Sequence, residues 1–248
     1  MATVKIGIIA GTGFYNLPAL AGAIATPVET QYGKALITKG SWHSAEIVFL
    51  TRHGVDHSVP PSKVNYRANI TALKNEGVEF VIAVNVVGGI DPKLGAGALQ
   101  LLDDFVDFTS GREHTFFDGV QPGGVQHTDM SDLYDHQVKS AMVASAIAAG
   151  IPLATGGVYA GFNGPRFETP AEIRLAALAG ATVVGMTGCP EVSLAKEASL
   201  RYAAIALVVN PAAGVGTTPI TMDEINQALK DASQKVITII DGAIKSLS

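Results

Sequence analysis

Short β-branched apolar runs alternate along this chain with alanine-rich stretches of helical periodicity, and several of the runs have no polar face. Val81-Ile82-Ala83-Val84 is the clearest case. A strand that is apolar on both sides has to be covered on both sides, which points to a mostly parallel sheet sandwiched by helices. Strands are predicted at residues 4–10, 35–38, 46–51, 80–87, 99–108, 154–162, 182–186 and 202–209. Helices are predicted at 65–75, 135–149, 170–179, 190–200 and 221–246. Two helix starts carry strong signals. Thr169-Pro170-Ala171-Glu172 combines an N-cap hydroxyl, a proline at the first helical position and a glutamate that reaches back, and Thr221-Met222-Asp223-Glu224 repeats the box.

The composition fits a compact α/β chain. Apolar residues make up 48% of 248 and charged residues 16%, too apolar a balance for disorder. No low-complexity linker or internal repeat divides the chain, so a single domain over 1–248 is expected. Net charge is 17 − 22 = −5 and there is no Lys/Arg run, which argues against nucleic acid as a partner. The one cysteine, Cys189, cannot form an internal disulfide, and no Cys/His cluster has zinc-site spacing, so no metal is expected. Residues 6–10 are too short for a signal-peptide core, and no apolar stretch approaches the length of a membrane span. The expectation is a cytoplasmic protein without membrane partners.

Polar groups and glycines collect where strands end. Gly11-Thr12-Gly13 follows the first strand, where backbone N–H groups could close around an anion, although a tight turn without a ligand explains it equally well. Position 16 is Asn16 and no GxxxxGK[ST] occurs, so neither a dinucleotide fingerprint nor a P-loop is present. Thr51-Arg52-His53-Gly54 offers a guanidinium fork suited to phosphate, or simply a solvated loop. His53 and His57 are four apart but precede Pro60-Pro61, so no helix carries them toward a metal. Asn85-Val86-Val87-Gly88-Gly89 ends a strand in a polar side chain and close-approach glycines. Gly164-Pro165-Arg166-Phe167-Glu168 sets an aromatic and a carboxylate before a helix. Gly185-Met186-Thr187-Gly188-Cys189-Pro190-Glu191 presents the Thr187 hydroxyl at a helix start, and Asn210 ends the most apolar strand. Together these obey the rule that open α/β sheets bind ligands outside the carboxyl ends of their strands.

In this order the motifs resemble the purine nucleoside phosphorylase and methylthioadenosine phosphorylase family. The likeness rests on Arg52-His53-Gly54 with Pro61-Ser62-Lys63-Val64-Asn65-Tyr66, on Gly164-Pro165-Arg166-Phe167, and on Met186-Thr187 with Pro190-Glu191-Val192. It implies a mixed central sheet flanked by helices, a homotrimer, and cleavage of a nucleoside by inorganic phosphate with no metal or organic cofactor. Carried over by position, it implies a phosphate site of Thr12, Gly13, Arg52, His53, Asn85, Val86 and Thr187. Val87, Gly88, Gly185, Met186 and Phe167 would surround the nucleoside, and His127 would reach the neighbouring subunit's site. Glu168 and Asn210 match members acting on 6-oxopurines, where adenine-cleaving members have serine and aspartate. The chemical reason is that hypoxanthine N1 carries a hydrogen that a carboxylate accepts, whereas adenine N1 presents a lone pair. Met222, His57 and Pro61 match members that hold a methylthio group at the sugar's 5′ end. The resemblance therefore implies phosphorolysis of 5′-methylthioinosine to hypoxanthine and 5-methylthioribose 1-phosphate, with Arg52, Glu168 and Asn210 as the catalytic set. General inosine or guanosine phosphorolysis, methylthioadenosine phosphorolysis and a non-catalytic nucleoside-binding module are the alternatives. Gly188 and Cys189 depart from the family, which often has Thr and Val there.

Overall fold

A computed structural model of the chain describes residues 3–11, 13–14, 17–54, 58–120, 123–217 and 220–248. Among the described residues nine strands form one sheet: β1 (Lys5–Ala10), β2 (Thr26–Thr30), β3 (Gly33–Trp42), β4 (Ala45–Thr51), β5 (Phe80–Gly89), β6 (Leu99–Asp107), β7 (Ala154–Gly161), β8 (Val183–Gly185) and β9 (Arg201–Pro211). The helices are α1 (Tyr66–Asn75), α2 (His136–Ala148), α3 (Pro170–Leu178), α4 (Gly188–Glu197) and α5 (Met222–Leu247). The strand order is β2-β3-β4-β1-β5-β8-β7-β6-β9, and β9 also pairs with β5, so the second half of the sheet closes on itself.

Both faces of the central strands are covered, as their apolar runs require. On β5, Phe80, Ile82 and Val84 join the core beneath α2 and α5, while Val81, Ala83 and Val87 join the core beneath α1 and α4. On β9 the split is Ile205, Leu207 and Val209 against Ala204, Ala206 and Val208. Helix α5 buries Ile225, Leu229, Ala232, Val236, Ile240 and Ile244 at the three- and four-residue spacing of an amphipathic helix. Both N-cap residues identified in the sequence cap their helices: Thr169 accepts from the Glu172 amide, and Thr221 from the Glu224 amide.

The expectation of a mostly parallel sheet needs correction, and the mixed sheet implied by the family likeness is what is found. The pairings β1–β4, β1–β5, β5–β9, β6–β7 and β7–β8 are parallel, but β2–β3, β3–β4, β5–β8 and β6–β9 are antiparallel. Strand β2 is absent from the sequence reading because it is an edge strand with Pro27 in it and no fully buried residue, so it lacks an apolar signature. Strand β3 runs four residues past Thr38 because its ladder with β4 continues through polar residues to Trp42. At α4, Cys189 (φ −109°, ψ 134°) and Pro190 (φ −90°, ψ 19°) depart from helical values. The regular helix therefore follows Pro190, where the sequence predicted it to begin at that residue, and it ends at Glu197, before the predicted 200.

One irregularity positions the site. Between Val87 and Gly88 the β5–β9 register slips, so that Val87 faces Val208 while Gly88 faces Asn210. The bulge breaks the in-out alternation of β9 and sets Asn210 opposite a residue without a side chain. A Cβ on Gly88 would lie 3.1 Å from Val184 Cγ1 and 3.5 Å from Asn210 Nδ2.

Candidate active site

Strand ends from across the sheet open on one cleft of about 600 Å³. Gly11 reaches it from β1, Arg52 and His53 from β4, Val86, Val87 and Gly88 from β5, Gly185, Met186 and Thr187 from β8, and Asn210 from β9. The loop before α3 adds Phe167 and Glu168, and Pro61 and Met222 also line the cleft. Most of the residues singled out in the sequence are thus brought together by the fold.

Arg52 is buried and most of its fork is already engaged. Nε donates to Glu191 Oε2 at 2.6 Å, Nη2 to Glu191 Oε1 at 2.7 Å, and Nη1 to the Val84 carbonyl at 2.6 Å. Burial opposes its charge, but the Glu191 carboxylate more than offsets this and holds the guanidinium proton more tightly than usual. His53 Nδ1 lies 2.8 Å from the Val59 carbonyl, which can only accept, so this nitrogen carries the proton. Asn85 sits just behind the wall, with 1% of its surface exposed, and donates to Thr187 Oγ1 at 3.4 Å.

At the helix start the backbone amides are already committed. The amides of Thr187 and Gly188 both donate to Tyr159 Oη, at 3.0 Å each, so they turn away from any ligand and the Thr187 hydroxyl is the group left facing the cleft. Tyr159 also explains the two glycines beside it. A Cβ on Gly185 would lie 2.5 Å from Tyr159 Oη, and one on Gly188 2.8 Å from its Cε1.

Glu168 and Asn210 are two further buried polar side chains that line the cleft. Glu168 is 8% exposed, and its Oε1 is buried without a hydrogen-bond partner among the described residues. Burial raises its pKa above the usual carboxylate value. Its segment is tied down by the cap of α3: Thr169 and Glu172 exchange bonds, and Arg166 grips Glu172 with both Nη atoms at 2.9 and 2.7 Å. Arg166, then the Thr169 amide, hold the Glu172 carboxyl at about 2, so this anchor stays ionised through neutral pH. Asn210 Nδ2 donates to the Pro211 carbonyl at 2.7 Å. The rest of the lining is mostly apolar, with Val59, Pro61, Ile220, Met222 and Ile225 beside the single hydroxyl of Ser58.

Four expected residues stand apart. Thr12 and His57 lie outside the described residues. Gly13 does not line the cleft: its φ of 88° serves the turn after β1, where a Cβ would meet Leu229 of α5 at 3.2 Å. His127 is exposed and is not part of this cleft's wall. Conversely, sequence reasoning passed over three residues that hold the site in shape. Glu191 was visible only as part of a motif, and Tyr159 is a lone aromatic in a small-residue strand. Arg112 lies in a stretch with no periodicity, yet it donates to the carbonyls of Met186, Cys189, Phe162 and Asn163 and so ties the segment after β8, which lines the cleft at Met186, to the segment after β7.

Residues 5–245 match the phosphorylase superfamily. The chain belongs to that superfamily. Among its relatives in the superfamily is the probable S-methyl-5'-thioinosine phosphorylase of Pseudomonas syringae pv. tomato, 48% identical over 92% of this chain and 94% of that one. The 6-oxopurine nucleoside phosphorylase of Pyrococcus furiosus is 41% identical over 97% of this chain and 92% of the relative. Of solved superfamily structures, methylthioadenosine phosphorylase from Schistosoma mansoni in complex with adenine aligns with a TM-score of 0.90 at 31% identity, covering 99% of this chain and 92% of that one.

Proposed function

We propose that this superfamily member cleaves 5′-methylthioinosine with inorganic phosphate, releasing hypoxanthine and 5-methylthioribose 1-phosphate. The observation that carries the reading is the Glu168 Oε1, buried in the cleft with no hydrogen-bond partner among the described residues. An orphaned carboxylate calls for a donor, and N1–H of a 6-oxopurine is one where adenine N1 is not. The apolar group of Pro61, Ile220, Met222 and Ile225 suits a methylthio substituent better than a hydroxyl.

In this reading phosphate binds among Thr12, Arg52, His53, the Val86 backbone and Thr187, with Asn85 adjoining. A phosphate oxygen bonds to C1′ as the C1′–N9 bond breaks, through an oxocarbenium-like state. Negative charge collects on the departing purine, so an amide hydrogen from Asn210 to N7 or O6 gains strength as the bond opens. Holding both substrates side by side in the cleft supplies much of the rate. No metal or organic cofactor enters this scheme. The reading extends to a cytoplasmic, single-domain homotrimer in which His127 serves a neighbouring site.

A panel of methylthioinosine, inosine and methylthioadenosine, each with and without phosphate, tests it. Methylthioinosine is expected to turn over fastest, and only with phosphate; equal or faster turnover of inosine or methylthioadenosine overturns the substrate assignment. General 6-oxopurine phosphorolysis is the second reading, favoured by Ser58, a hydroxyl residue that lines the cleft along with Pro61 and Met222. Met222→His should move the preference toward inosine by about tenfold, the worth of one well-placed hydrogen bond. An unchanged ratio would place the 5′ group elsewhere. Asn210→Asp should improve adenine relative to hypoxanthine as product, and competition between the two nucleosides in one tube reads this directly.

A further inference from the structure

We infer that Glu191, braced by Tyr202, is a positioning residue for the phosphate site that acts through Arg52. This rests on the reading above only in taking Arg52 to face phosphate. Glu191 does not line the cleft, and its side chain is 2% exposed. Both its oxygens are committed: Oε2 accepts from Arg52 Nε, and Oε1 accepts from Arg52 Nη2 and, at 2.8 Å, from Tyr202 Oη.

A buried ion pair is a poor source of stability, because desolvating both charges offsets most of their attraction. Its effect here is geometric. The guanidinium has five N–H groups, of which Glu191 takes two along one edge and the Val84 carbonyl takes a third. The plane and rotation of the fork are thereby fixed from α4, β9 and β5 at once, and one N–H on each Nη is left for a ligand. Lacking such a brace, a long arginine side chain would lose rotamer freedom each time phosphate binds. A bidentate carboxylate with its own hydroxyl support sets that orientation in advance.

The test is calorimetric titration of inorganic phosphate into the wild-type protein and the Glu191→Gln, Glu191→Asp and Tyr202→Phe variants, alongside phosphate and nucleoside KM values. Glu191→Gln turns an amide N–H toward an arginine N–H, so phosphate binding should weaken by about tenfold or more, with nucleoside KM within about twofold of wild type. Glu191→Asp keeps both acceptors on a shorter arm and should recover part of that loss. Tyr202→Phe, which leaves the ion pair intact, should weaken phosphate by about threefold. Phosphate affinity within about twofold of wild type in the folded Glu191 variants, or an equal rise in both KM values, overturns the inference. If the Glu191 variants do not fold, Tyr202→Phe decides alone, and unchanged phosphate affinity in it is the overturning result. A wild type that titrates phosphate yet leaves methylthioinosine intact overturns the substrate reading and leaves this one standing.

Discussion

Glu168→Gln is expected to reverse the base preference of the cleft by roughly 100-fold, measured as the ratio of kcat/KM for methylthioinosine to that for methylthioadenosine. The carboxylate can only accept, and a bond from N1–H to a charged acceptor is worth roughly 1.5–3 kcal/mol. An amide keeps one neutral acceptor for N1–H, losing about half of that, and gains an N–H that adenine N1 can accept. The two changes act in opposite directions on the two substrates, so their ratio reports both. If the ratio moves by less than about threefold, base choice does not reside at Glu168.

The same substitution makes a prediction about pH. Burial raises the Glu168 pKa in the folded protein, so the folded state holds this proton more readily than the unfolded state does. The residue's unfavourable contribution is therefore present in full above its folded pKa and disappears below the ordinary carboxylate range. The variant should melt at a higher temperature than wild type at pH 8 and at the same temperature near pH 4. Wild-type activity on methylthioinosine should fall as pH drops through the raised value, because the neutral acid no longer accepts N1–H as a carboxylate does. Glu168→Gln should lack that acid limb.

How much of this could be read from the sequence follows from the range of the forces involved. The buried strands β1, β5 and β9 announce themselves because full burial demands an unbroken apolar run, and the N-caps at Thr169 and Thr221 because their chemistry is complete within four residues. Glu168 and Asn210 were legible as polar residues at element ends. What stayed hidden depends on partners far along the chain. The Arg52–Glu191 pair joins positions 139 apart, and Arg112 acts on carbonyls 50 to 77 residues away. Nothing local to either residue encodes these contacts. The bulge at Val87/Gly88 is another case: the glycines hinted at close approach, but the slip that turns Asn210 toward the cleft is a property of two paired strands.

Tyr159 gives the second large effect, through Gly185, which lines the cleft and would press on the ring if it carried a side chain. Gly185→Ala would put a methyl carbon 2.5 Å from Tyr159 Oη and 3.0 Å from its Cε2. The tyrosine is 1% exposed and packed in the core beneath α1 and α4, so it has little room to yield. Overpacking a close-packed core costs about 1–3 kcal/mol. Moving the ring also strips the amides of Thr187 and Gly188 of their shared acceptor, and an unpaired buried amide adds about 1–3 kcal/mol. The sum of about 4 kcal/mol corresponds to a fall in Tm of roughly 10 °C for a chain of this size. Because the displaced amide belongs to Thr187, phosphate affinity should fall with it, which a remote packing defect would not produce. Adding Tyr159→Phe removes the oxygen that the new methyl strikes, so the double variant should be less destabilised than the sum of the single ones, while phosphate affinity stays low because the acceptor for the two amides is gone. Strict additivity of the two melting shifts would mean that Gly185 and Tyr159 do not constrain each other.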